Sequence, residues 1–121
     1  MVSPRVDQAL DSLDWKAKIG QMAQVDINAL VDSTTKELRQ DLVDHYIGEL
    51  GIGSVLNCVQ YDDGRPAWYL QDYRKAIVSI QETALKYKRP PVIWGLDSVH
   101  GANYIYGSVV TPQPLNLAAT F

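Results

Sequence analysis

The sequence is 121 residues long and 46% hydrophobic, the size of one ordinary domain with enough apolar material for a core, which excludes a disordered chain. The formal net charge is -3, and the densest basic run, Lys86-Tyr87-Lys88-Arg89, is short. No basic face points to nucleic acid and no acidic tail points to a basic partner.

Residues 4–22 read as helix in two pieces, with Ala9, Leu10, Leu13, Ala17 and Met22 at roughly helical spacing. Asp14 suits the N-cap of the second piece, Trp15 to Met22. Gly20 weakens that piece by about 1 kcal/mol relative to alanine. Gln24 to Leu30 fits either strand or loop. Thr34 or Thr35 can cap a helix over about 36–49, striped by Leu38, Leu42, Ile47 and Leu50 and ended by Gly51-Ile52-Gly53. Ser54-Val55-Leu56-Asn57 reads as a buried strand. Residues 61–66 have loop composition, and Pro66 suits the first turn of a helix over 66–87. In that helix Ala67, Leu70, Tyr73, Ile77, Ile80, Ala84 and Tyr87 step by three or four residues. Arg89-Pro90-Pro91 stops it. Val92 to Leu96 is a second apolar run, ending at Asp97.

The chain therefore divides into leading helices over about 1–50, a strand-helix-strand unit over 51–97 and a loop over 98–121. Parallel strands joined by a helix form a right-handed unit, and runs apolar on both faces belong to sheets covered by helices. The loop is rich in Gly, Asn, Tyr, Ser and Pro, and Leu115 to Phe121 looks like the start of another element. The single cysteine, Cys58, excludes an internal disulfide and most cysteine-based zinc sites; its apolar neighbours favour a buried thiol. No stretch approaches the roughly 20 apolar residues of a membrane span, and the first residues lack the apolar run of a signal peptide.

Asp97 is the residue that carries chemistry. In βα proteins the loops after the strands line the ligand site. A carboxylate there can accept hydrogen bonds from two adjacent sugar hydroxyls, stronger than neutral ones. Trp94, Tyr104 and Tyr106 supply aromatic faces nearby. Position alone leaves a second reading open, in which Asp97 caps the following turn or pairs with a lysine.

Four segments carry a resemblance. Pro91-Val-Ile-Trp-Gly-Leu-Asp97-Ser-Val-His100-Gly-Ala-Asn-Tyr-Ile-Tyr-Gly107 resembles the Gly-hydrophobic-Asp-Ser/Ala-Val-His-Gly segment of glycoside hydrolase family 3. Thr111-Pro-Gln-Pro-Leu-Asn-Leu-Ala-Ala-Thr120 is similar to that family's Phe-Pro-His/Gln-Asn-x-Gly-Leu-x-Ala-Thr. Lys18-Ile-Gly-Gln-Met22 and Gly51-Ile-Gly-Ser-Val-Leu-Asn57 are similar to its first helix and its Gly-x-Gly-Ser-Val/Ile-Leu strand. The sequence departs from the pattern at Ala17 (usually Glu), Thr111 (Phe), Pro114 (Asn) and Asn116 (Gly).

The resemblance implies an α/β chain, the opening βα units of a TIM-type (β/α)8 barrel that is incomplete within 121 residues. It implies a β-glucosidase-type enzyme whose substrate is a β-glucoside or β-glucan. Asp97 would hold the non-reducing terminal glucose, and His100 would orient the loop through backbone bonds or touch the sugar. No cofactor or metal, no nucleic acid and no membrane is expected as a partner. Retaining glycosidases need two carboxyl groups about 5–5.5 Å apart. The family's nucleophile lies in a Ser-Asp-Trp/Tyr motif that does not occur here, and its acid/base glutamate comes from a later segment. Asp11-Ser-Leu-Asp-Trp15 only echoes that motif. Asp62 and Asp63 read as a solvated loop, and Glu37, Asp41 and Asp44 as a charged helix face, with His45 on the same helix surface. The expectation is a fragment inactive by itself, from a truncated gene or needing the missing remainder of the barrel as its partner. The alternative is a non-catalytic carbohydrate-binding or interaction fragment. Members of the family are often secreted, and no export signal is visible.

Overall fold

The computed structural model describes residues 3–120. Two short helices lead, α1 (Pro4–Asp11) and α2 (Trp15–Gln21). Asp14 caps α2 by accepting the Ala17 N–H at 2.7 Å. Ala17 and Gly20 form its buried face. The mid-helix glycine has a packing reason. A Cβ there would overlap the Leu50 carbonyl oxygen, and the Gly20 carbonyl accepts the Gly53 N–H at 3.1 Å.

The ambiguous segment resolves as strand β1 (Gln24–Asp26) followed by a 3-10 turn, Ile27–Leu30. The expected helix over 36–49 starts later and is capped differently. The Asp32 carboxylate takes the N–H groups of both Thr34 and Thr35, each at 2.8 Å, which closes a turn in place of a threonine cap. Helix α3 (Gln40–Val43) then begins, and its last turns widen to a π-helix over Asp44–Glu49. Gly51, at φ 69°, ends it.

Strand β2 (Ser54–Leu56), helix α4 (Leu70–Lys86) and strand β3 (Ile93–Gly95) follow. The three strands form one parallel sheet in the order β1-β2-β3. Val25, Val55 and Trp94 are in register, as are Asp26, Leu56 and Gly95. Side chains alternate across a strand, so Val25, Val55 and Trp94 share one face. The helices cover that face, where Val55, Ile27, Leu30, Val43, Ile47, Tyr73 and Ile80 are buried together.

Helix α4 corrects two expectations. Pro66 does not open it but bridges Gln60 within the preceding loop; the helix starts at Leu70, with the Asp72 carboxylate accepting the Tyr69 N–H at 3.0 Å. Its buried face is Tyr73, Ala76, Ile80, Thr83 and Ala84, while Leu70 and Ile77 are 61% and 39% exposed. At 100° per residue those two lie about 60–80° round the axis from Ile80, on the flank of the contact. The Gln81 side chain then reaches the start of β3. It donates to the Val92 carbonyl at 2.7 Å and accepts the Val92 N–H at 3.0 Å.

The strands are not apolar and buried on both faces as expected. Ile93 is 71% exposed, because no layer among the described residues covers the face that it shares with Gln24 and Ser54. After β3 the chain forms an irregular loop and a short helix, α5 (Pro114–Ala118). Phe121, the last residue of the expected closing element, lies outside the described residues.

Candidate functional site

Asp97 stands two residues beyond the C-terminal end of β3. The chain turns sharply there, with the Ser98 N–H donating to the Leu96 carbonyl at 2.9 Å. The Asp97 side chain is exposed. Among the described residues it makes no hydrogen bond and no ion pair, so it neither caps the turn nor pairs with a lysine. A charged acceptor is left with its oxygens open at a strand end.

The rest of the loop is tied to the body by its backbone. The His100 carbonyl accepts the Thr111 N–H at 2.9 Å. The Tyr73 hydroxyl donates to the Tyr104 carbonyl at 3.2 Å, and burial pushes that phenol well above its ordinary pKa, so it remains a donor. The Tyr106 N–H donates to the Trp68 carbonyl at 3.0 Å, and its ring rests on Tyr69 at 4.7 Å between centroids. The imidazole Nδ1 of His100 and the side-chain oxygen of Asn103 are both buried without a partner. Within this loop they are the polar atoms that a bound hydroxyl or water would satisfy.

Trp94 does not present a free aromatic face to the site. It lies half-buried on the helix-covered side, edge-on to Tyr73 at 6.0 Å, and its indole N–H donates to the Asn57 carbonyl at 3.1 Å.

Sequence reading missed a second polar group at the same end of the sheet. Asp26 ends β1 and Asn57 follows β2. The Asn57 amide donates to Asp26 Oδ2 at 2.6 Å. Asn28 donates to Asp26 Oδ1 twice, from its backbone at 2.8 Å and its side chain at 2.7 Å. Partial burial alone would raise the Asp26 carboxyl, but these hydrogen bonds outweigh it and hold the group below its ordinary value. The available signal was Asn57 itself, closing the glycine-led strand segment, because asparagine tolerates left-handed backbone better than most residues.

Four of the other acidic residues are engaged in ion pairs at the surface. Asp41 pairs with Arg39, Asp44 with Lys86, Asp62 with Lys36 and Asp63 with Arg65. His45 lies exposed against Glu49 at 2.9 Å. Among the described residues no group of three or more His, Cys, Asp or Glu could hold a metal ion. A cavity of about 430 Å³ lies between the segment 35–40 and the first turns of α4, lined by Lys36, Trp68, Asp72 and Lys75 among others. Neither Asp97 nor His100 reaches it.

No known family model matches the chain. Among curated proteins, it is 32% identical over 123 residues to a lysosomal beta glucosidase from Dictyostelium discoideum. The match takes in 96% of this chain, and the chain spans 15% of that relative's length. The uncovered 4% of 121 residues is about five, too few to reach Asp97 from either end. The chain is thus similar, along nearly its whole length, to one stretch of a glycosidase.

Proposed function

We propose that the chain is the opening part of a family 3 glycoside hydrolase of β-glucosidase type, in which Asp97 holds the terminal glucose of a β-linked glucoside. The observation that carries this reading is the open Asp97 carboxylate at the end of a parallel strand. In βα folds that end is where ligands bind. Two adjacent hydroxyls donating to one carboxylate contribute about 1.5–3 kcal/mol each. The likeness to a lysosomal beta glucosidase supports the same substrate class. His100 shapes the loop behind Asp97 through its bond to Thr111.

The fold that goes with this reading is a (β/α)8 barrel, of which the chain supplies three strands in sequential order. Helices cover one face of the sheet, as on the outside of a barrel. The other face, with Gln24, Ser54 and Ile93, would look into the barrel centre. The partner is then the rest of the barrel. Neither nucleic acid nor a membrane has a part in the proposal.

Cleavage with retention needs a nucleophile and an acid/base about 5–5.5 Å apart. Asp41, Asp44, Asp62 and Asp63 lie in surface pairs that do not include Asp97, and the motif that carries the family's nucleophile does not occur in this sequence; we therefore read the chain as one that binds and does not cleave by itself. Titration with methyl β-glucoside, followed by protein NMR, tests the site. Binding at millimolar concentration that disappears in Asp97→Ala is expected, together with negligible release of nitrophenol from a nitrophenyl β-glucoside. Equal binding by Asp97→Ala and the unmodified chain would refute the assignment.

A further inference from the structure

Asn57 joins all three strands at their C-terminal ends. Its backbone N–H donates to the Gly95 carbonyl at 3.1 Å. Its carbonyl accepts the Trp94 indole N–H at 3.1 Å. Its side-chain amide reaches across to Asp26 at 2.6 Å. Two of these bonds grip β3 and the third grips β1. All three are made at φ 76°, a left-handed conformation that asparagine adopts more readily than most L-residues. Asp26 is in turn fixed by the two bonds from Asn28.

Asp97 follows Gly95 by two residues and has no side-chain bond of its own, so its placement comes entirely from the backbone that carries it. We propose that Asn57 and Asp26 are positioning residues which, through Trp94 and Gly95, fix the height and direction at which Asp97 leaves β3. The proposal rests on the reading of Asp97 as a glucose contact. Hydrogen bonds from hydroxyls to a carboxylate span about 2.5–2.7 Å, and a misplacement of roughly 1 Å at such a site is costly. The bond between Asn57 and Asp26 spans 31 residues of sequence and extends the pairing of β1 with β2, Asp26 beside Leu56, one residue past the end of β2.

Two variants isolate the side-chain link. Asn57→Gly keeps access to the left-handed backbone and deletes only the amide that reaches Asp26. Asp26→Asn keeps the shape and removes the charge. The readouts are the Trp94 indole NMR resonance (assigned with Trp94→Phe), hydrogen exchange at that indole and at the residue 57 amide, and affinity for methyl β-glucoside. Both variants are expected to shift the indole resonance and to speed exchange at both sites about tenfold or more. Exchange at Ile80 and Ala84 in α4 should stay at its original rate, and glucoside affinity should fall about tenfold, equivalent to 1.4 kcal/mol. Unchanged exchange in both variants overturns the proposal, as does a uniform rise that includes Ile80 and Ala84. Glucoside binding by Asn57→Gly at the affinity of the unmodified chain overturns it too. If the unmodified chain binds no glucoside while exchange responds locally as expected, the reading of Asp97 falls and the clamp stands.

Discussion

Replacing Gly20 with alanine tests the packing of α2 through the sign of its effect. In an isolated helix the change stabilises by about 1 kcal/mol. Here a Cβ would overlap the Leu50 carbonyl oxygen and sit 2.7 Å from both the carbonyl carbon and the oxygen of Gly51. All three are backbone atoms, so no rotamer change relieves the clash. The Gly53 N–H bond to the Gly20 carbonyl, 3.1 Å, and the Gln21 amide bond to the Gly51 carbonyl, 2.8 Å, lie in the same contact and would stretch. Overpacking of a filled interior costs about 1–3 kcal/mol, and a weakened hydrogen bond adds about 1 kcal/mol. Set against the propensity gain, the net loss is about 1–3 kcal/mol. With a urea slope of about 1–2 kcal/mol/M for a chain this small, the midpoint followed by circular dichroism should drop by about 1 M. An unchanged or raised midpoint in Gly20→Ala would show that α2 does not seat on the turn before β2 and would refute the reasoning.

Ile80→Ala empties the centre of the helix-to-sheet contact, where Ile80 is 1% exposed; about 2–5 kcal/mol should be lost in urea unfolding, and a loss under about 1 kcal/mol would contradict the packing. Cys58 is buried and burial raises its thiol pKa, so at pH 8 it should resist a thiol reagent in the folded chain and react promptly in denaturant. Hydrogen bonds hold Asp26, Asp32, Asp41 and Asp63 below the ordinary aspartate range when folded. The folded chain therefore binds fewer protons than the unfolded one as pH falls through that region. Their contribution is complete above the unfolded value of about 3.9 and is lost below it. The urea midpoint should decline from about pH 4 downward, and a midpoint that rises between pH 5 and pH 3 would contradict the assignment.

Local chemistry was legible where it involved neighbours in the sequence. Asp14 announces its cap, Gly51 its helix stop, and the apolar run from Val92 announces a strand that delivers Asp97 to its end. What could not be read depends on competition or on distance. Thr34 and Thr35 are good helix starts by residue type, but Asp32 captures their N–H groups first. Pro66 suits a helix start, but its loop bridges back to Gln60. The apolar spacing of α4 admits two adjoining faces, and only the direction from which the sheet approaches selects Tyr73, Ala76 and Ile80 over Leu70 and Ile77. Trp94 resembles a sugar platform until strand alternation turns it toward Tyr73. The pairing of Asp26 with Asn57 joins two strand ends 31 residues apart; Asn57 carries a local signal, but nothing local names its partner.

The paired hydrogen bonds between Gln81 and Val92 give the unit a mechanical property. A helix packed on a sheet by apolar contacts alone can creep, because such contacts are non-directional. Donor and acceptor of one planar amide, matched to one peptide, permit little slippage: advancing α4 by a single residue would shift the amide 1.5 Å and swing it 100° away. Screw motion of the helix would break both bonds, so α4 and the start of β3 hold one register, and the strand that carries Asp97 five residues on from Val92 begins from a fixed point.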